Sequence, residues 1–212
     1  MNADLLQLKS KQAFIGGKRI LFVMAAEQEY GVCLRERIDP LIVGVGPIEA
    51  AIGVSIALQT FALDNELPDF VVSLGSAGSR ILEQGRVYQV SSVSWRDIDA
   101  SALGVRKGIT PFQDHPVDIP LEMRLSNFPS ARLSTGSDIV TGAAYEAIDA
   151  DMVDMETFAV MRTCQRFNIP LVGLRGVSDG AEELRHYDDW TSLLHVIDEG
   201  LADAVDLLDL SF

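Results

Sequence analysis

A chain of 212 residues, 48% hydrophobic and 23% charged, fits one domain with a core large enough to enclose a buried site. Its 17 basic against 31 acidic residues give a formal net charge of −14, which excludes the clustered positive surface that nucleic acid or an anionic membrane requires. No apolar run is long enough to span a bilayer, and the opening MNADLLQLKSKQAF lacks a signal-peptide pattern. Cys33 and Cys164 form no C-x-x-C pair, so reduced thiols and a cytoplasmic location are expected.

Residues 1–18 read as an N-terminal extension of a single domain. RILFVMAA (19–26) predicts a buried strand, with a helical pattern in EQEYGVCLRER after it. LIVGVG (41–46) predicts a second strand whose glycines lead into the helix IEAAIGVSIALQTFAL, and DFVVSLGSAG (69–78) a third ending in a Gly-rich turn. RVYQVSSVSW (86–95) and ARLSTGS (131–137) supply two more. Between them, 96–123 has little periodicity and three prolines, and its Leu103, Ile109 and Phe112 favour an ordered flap over a plain surface loop. A helix over 156–167, a strand over LVGLRGVSD (171–179) and a long C-terminal helix complete the chain. In that last helix Trp190, Leu194, Ile197, Leu201, Ala204 and Leu208 form one apolar stripe. Continuous apolar strands alternating with helices predict a mixed α/β sheet covered on both faces.

Ligands of open α/β sheets collect beyond the carboxyl ends of the strands, and here those ends carry the chemistry. AAEQEY offers Glu27 and Glu29, GSAGS offers Ser76 and Ser79, and the last strand carries Arg175 before Ser178 and Asp179. VDMETFAV places Asp154 and Glu156 in an otherwise apolar segment. A helix N-terminus, where carboxylates are favoured, accounts for that placement on its own terms. Arg175 within an apolar strand needs an anion, which Glu156 or Glu29 would supply. GVGPIEAA lacks the third glycine and the acidic partner of a dinucleotide site. His115, His186 and His195 show no metal-ligand spacing, and Ser76 lacks the G-x-S-x-G of a hydrolase elbow. No metal or cofactor is expected.

Taken jointly, an acid after the first strand, GSAG after the third, VDMET before a helix and RGVSD at the last strand resemble the nucleoside phosphorylase/nucleosidase superfamily. The match is strongest to its bacterial 5′-methylthioadenosine/S-adenosylhomocysteine nucleosidases, and it spans the chain from Arg19 to the C-terminal helix. The resemblance implies an α/β fold with a central mixed, barrel-like sheet flanked by helices, a homodimer, and hydrolysis of an adenine N-glycosidic bond with water as nucleophile. By matched position, Asp179 is the general acid at N7 of the departing base and Glu29 the base that orients and deprotonates water. Glu156 accepts from the ribose hydroxyls, Met155 packs on the sugar, and Ser76 and Arg175 are polar neighbours of water and ribose. Ser178 places the acid, Val45 lines an apolar wall, and Ile139 and Val140 hold the places flanking the base. Phe112 is assigned to the apolar wall from the flap alone.

Three departures from the family pattern bear on specificity. The acids after the first strand read Glu27-Gln28-Glu29, the base-stacking phenylalanine of G-D-A-F-I is missing from GSDIVT (136–141), and the last motif reads S-D-G-A-E. Two rivals remain: a phosphorylase, which Glu29 near the nucleophile disfavours by repelling phosphate, and a non-catalytic nucleoside binder, which has no need of Asp179 or Glu29.

Overall fold

The computed structural model describes residue 8, residues 10–180, residue 182 and residues 184–208. Much of the expected N-terminal extension and the last turn of the expected C-terminal helix lie outside those residues. Among the described residues nine strands form one sheet: β1 (Gln12–Ile15), β2 (Lys18–Met24), β3 (Leu41–Ile42), β4 (Phe70–Gly78), β5 (Val87–Trp95), β6 (Ile119–Pro120), β7 (Ser130–Thr135), β8 (Met152–Asp154) and β9 (Leu171–Asp179). The helices are α1 (Val32–Arg35), α2 (Pro47–Leu63), α3 (Thr157–Arg166), α4 (Tyr187–Thr191) and α5 (Leu194–Asp206).

The sheet closes on itself. β4 pairs with β8, β8 with β7, β7 with β5, β5 with β9, and β9 returns to β4. Two of these pairings, β4–β8 and β5–β9, are antiparallel and the rest parallel, so the ring is a mixed barrel. β2 extends it in parallel from β4, and β1 folds back on β2 as an antiparallel edge, so residues 12–15 are part of the sheet rather than of an extension.

The apolar runs alternate between two cores, as strand geometry demands. Leu21, Val23, Val71, Leu171 and Val177 face one cluster with α2 and α3; Ile20, Phe22, Met24, Phe70, Val72, Val172 and Leu174 face the other with α1 and α5. Each fully buried aliphatic or aromatic side chain contributes about 1.5–3 kcal/mol over exposure. Asp198 of α5 stitches the second core to the site loop. Its carboxylate accepts from the backbone N–H groups of Cys33 (2.8 Å) and Leu34 (3.1 Å), fixing the start of α1 just after Glu29.

Two expected elements are shorter than their apolar patterns. β3 stops at Ile42 because Gly44 and Gly46 take positive φ values of 91° and 99°, which no strand accommodates. The expected C-terminal helix is two helices, with the break at Ser192 and Leu193. His186 opens α4 with a capping box whose other half is Asp189. Trp190 still packs against the core that Leu194, Ile197, Leu201 and Ala204 continue, and it also lines the cavity described below. The 96–123 segment holds only a 3-10 turn (Ser101–Leu103) and β6, and crosses back over β5.

Candidate active site

The carboxyl ends of β2, β4, β8 and β9, the turn after β7 and the start of α4 surround a cavity of about 640 Å³. Glu29, Val45, Ser76, Ile139, Val140, Met155, Glu156, Ser178 and Asp179 all line it. Two residues expected there do not. Arg175 lies beneath the floor, 3% exposed, and Phe112 stands at 103% exposure outside the cavity, because the flap takes a positive φ of 63° at that residue and turns away.

The two carboxylates of VDMET divide the work. Asp154 goes down. Its Oδ2 accepts from Arg175 Nε (3.2 Å) and Nη2 (3.1 Å) and from the backbone N–H of Thr157 (2.9 Å), while Oδ1 accepts from Thr135 Oγ1 (2.6 Å). It thereby caps α3 and supplies the anion for Arg175, which corrects the expectation that Glu156 or Glu29 would. Arg175 spends its remaining donors on the Ser73 and Leu174 carbonyls and the Ser73 and Thr157 hydroxyls. A buried ion pair this fully hydrogen-bonded is expensive to break from one side, about 3–5 kcal/mol. Glu156 goes up instead, into the cavity, where Oε1 accepts from the backbone N–H of Gly46 at 2.7 Å.

Glu29 is buried. Its Oε1 accepts from Ser76 N (2.7 Å) and Ser76 Oγ (2.6 Å), and Ser76 Oγ accepts in turn from Trp190 Nε1 (2.9 Å). Its Oε2 has no hydrogen-bond partner among the described residues. Burial pushes the Glu29 carboxyl above the usual range, against the two Ser76 hydrogen bonds and the Arg175 charge. Asp179, at the end of β9, accepts on Oδ1 from Ser178 Oγ; burial raises its carboxyl too, with Ser178 opposing. For Glu156, burial and then the Asp154 charge push the carboxyl up to about 7.

Three raised carboxyls have a consequence for the fold. Between pH 4.5 and 7 the unfolded chain has lost the Glu156 proton while the folded chain keeps it, so the folded state binds more protons and stability falls as pH rises. The slope from one such group is at most about 1.4 kcal/mol per pH unit. The expected result is a melting temperature that drops from pH 5 to pH 8, with a shallower drop in Glu156→Gln; parallel pH profiles for the two proteins would contradict this setting of Glu156.

Arg96, Tyr145, Tyr187 and Trp190 also line the cavity, and sequence reasoning assigned none of them to it. Trp190 carried a signal, an indole N–H on an otherwise aliphatic stripe. Arg96 closes β5 and donates to the carbonyls of Ser134, Asp154 and Asp138, tying three cavity-side segments together. Among the described residues no group of three or more His, Cys, Asp or Glu side chains is placed to hold a metal ion, and no helix is long and apolar enough to cross a membrane.

A closed mixed barrel with carboxylates gathered at its strand ends is the nucleoside phosphorylase fold, and residues 132–204 match the Phosphorylase superfamily. The chain belongs to that superfamily. Within it, the chain is 29% identical to the 5′-methylthioadenosine/S-adenosylhomocysteine nucleosidase of Actinobacillus succinogenes over 157 residues, 66% of each chain. Its likeness to the same-named protein of Halalkalibacterium halodurans is 26% over 227 residues, 97% of this chain and 94% of that one. Among solved structures, the Neisseria meningitidis nucleosidase in complex with methylthio-immucillin-A superposes with a TM-score of 0.73 at 21% identity, covering 90% of this chain and 98% of that one.

Proposed function

We propose that this chain is an N-glycosyl hydrolase that releases adenine from 5′-methylthioadenosine, S-adenosylhomocysteine or a related adenine nucleoside. One observation carries the reading: Asp179 and Glu29, both raised by burial, line one cavity with Glu156. Breaking the C1′–N9 bond leaves a cationic, oxocarbenium-like sugar and an electron-rich purine. Asp179, whose carboxyl burial raises, gives its proton to N7. The hydroxyl of Ser178 holds its other oxygen and fixes its direction. Glu29 keeps one oxygen on Ser76 and turns the unpartnered one to the attacking water, taking its proton as the C1′–O bond forms. A carboxylate whose pKa is raised accepts that proton more readily. Glu156 receives the ribose hydroxyls, with Met155 against the sugar. The names of the nucleosidases to which the chain is similar, and the analogue bound to the Neisseria protein, support the same substrate class.

The Arg175–Asp154 pair serves this site from below. It anchors the start of α3 and so the position of Glu156, two residues after Asp154. The apolar Val45 and the net charge of −14 favour a 5′ end without charge. Methylthioadenosine is therefore expected to be cleaved with at least a tenfold higher kcat/KM than AMP, the worth of about 1–2 kcal/mol from burying the methylthio group. Chromatographic assay of adenine from both substrates checks this. A preference for AMP would place Arg96, Arg106 or Lys107 on the phosphate and overturn the assignment of the 5′ substituent.

The working unit we propose is a homodimer in the cytoplasm. Ile48, Ile52 and Ile56 recur every fourth residue along one face of α2 at 70%, 50% and 57% exposure, a stripe that a second copy would cover together with Leu103 and Phe112 of the flap. Sedimentation of the wild-type chain and of Ile52→Glu tests it; a wild-type monomer at micromolar concentration would refute it.

A further inference from the structure

Tyr145 stands beside Asp179 with a hydroxyl that the mechanism above does not use. It belongs to the 3-10 turn Gly142–Ala147, which follows Ile139 and Val140 and lines the same cavity. Its Oη is removed from bulk solvent and has no hydrogen-bond partner among the described residues. Buried hydroxyls are nearly always paired, so one left over at the rim of a binding cavity points to a partner on the ligand.

The glycine of GSAGS fixes where that hydroxyl sits. A Cβ built on Gly78 would overlap the Tyr145 hydroxyl and stand 2.9 Å from Asp179 Oδ2. The bare backbone at the end of β4 thus lets the two groups converge on one point. Ser178 holds Asp179 Oδ1, so Oδ2 is the oxygen beside the tyrosine. Burial raises the phenol above its ordinary range, keeping a neutral hydroxyl there.

A purine presents N7 and the substituent on C6 side by side along one edge. A group that delivers a proton to N7 therefore brings its immediate neighbour to the 6-substituent. We infer that the Tyr145 hydroxyl reads the 6-substituent of the base while Asp179 serves N7, an inference that rests on the hydrolase reading of the same site. A phenolic hydroxyl both donates and accepts. It accepts from a 6-amino group and donates to a 6-oxo group, so the ligand class is purine nucleosides bearing either, with unsubstituted purine at a disadvantage. This second polar contact also offsets the missing aromatic of the GSDIVT segment, where Ile139 and Val140 give the base apolar contact without direction.

The test compares kcat/KM for the 5′-methylthioribosides of adenine, hypoxanthine and unsubstituted purine in the wild type and in Tyr145→Phe. Intrinsic leaving-group differences cancel between the two enzymes, and partial unfolding of the variant cancels within each set of ratios. The advantage of each 6-substituted base over unsubstituted purine is expected to shrink about tenfold in the variant, the loss of one hydrogen bond to a desolvated partner. Equal ratios in both enzymes overturn the role of Tyr145 and leave the hydrolase reading standing. Base release from none of the three by the wild type overturns the hydrolase reading instead. In that case calorimetry of free adenine and free purine on the two proteins decides Tyr145 alone: a discrimination about tenfold weaker in the variant supports it, and an unchanged one refutes it.

Discussion

Asp179→Asn is expected to lose base release by about 10²-fold or more in kcat while nucleoside affinity stays within about tenfold. The amide keeps the volume of the acid and its carbonyl can still accept from Ser178 Oγ, so the end of β9 has no reason to move. Its N–H can also donate to N7. It cannot give up the proton, and the purine would have to depart as an anion. The loss therefore falls on the chemical step and spares binding. Turnover like that of the wild type in a pure Asp179→Asn preparation would remove Asp179 from the mechanism.

Glu29→Gln is expected to cost about 10²–10⁴-fold in kcat. The amide oxygen retains both hydrogen bonds from Ser76, so the Trp190–Ser76–Glu29 chain keeps its geometry. The nitrogen takes the position of Oε2, the oxygen free to receive a proton from water. Binding of free adenine, which needs no water, stays close to that of the wild type. A variant that keeps more than a tenth of wild-type kcat would show that water needs no base here, and the role of Glu29 would reduce to holding Ser76.

The apolar runs carried the strands of the sheet for a physical reason, while its closure into a barrel came from family resemblance. Strands buried on both faces are continuous apolar runs, and β9 was legible to its last residue because LVGLRGVSD ends where the side chains turn polar. The positions of Glu29, Ser76, Glu156 and Asp179 followed from the rule that strand ends gather function, sharpened by family resemblance. What escaped depends on partners distant in the chain. Nothing local says that Arg175 chooses Asp154 over Glu156; Asp154 is the last residue of β8, within reach of Arg175, whereas Glu156 lies beyond the strand at the N-cap of α3 and turns to Gly46. Trp190 matched a helical stripe of the core and packs on that core, while its indole N–H reaches Ser76, a partner 114 residues away in the chain. Tyr145 lies in a turn with no periodicity to read, and its closeness to Asp179 exists only across Gly78. Phe112 was assigned from composition, and its backbone conformation aims it outward.

The central claim is hydrolysis at this cavity, and the nucleophile is its most direct test. Purified protein is incubated with 5′-methylthioadenosine in phosphate-free buffer and again with added phosphate, and both adenine and the sugar product are quantified by chromatography. Adenine and free methylthioribose in equal amounts, at a rate that phosphate leaves unchanged, is the predicted result. Adenine released only with phosphate, accompanied by a sugar 1-phosphate, would contradict it and make the chain a phosphorylase.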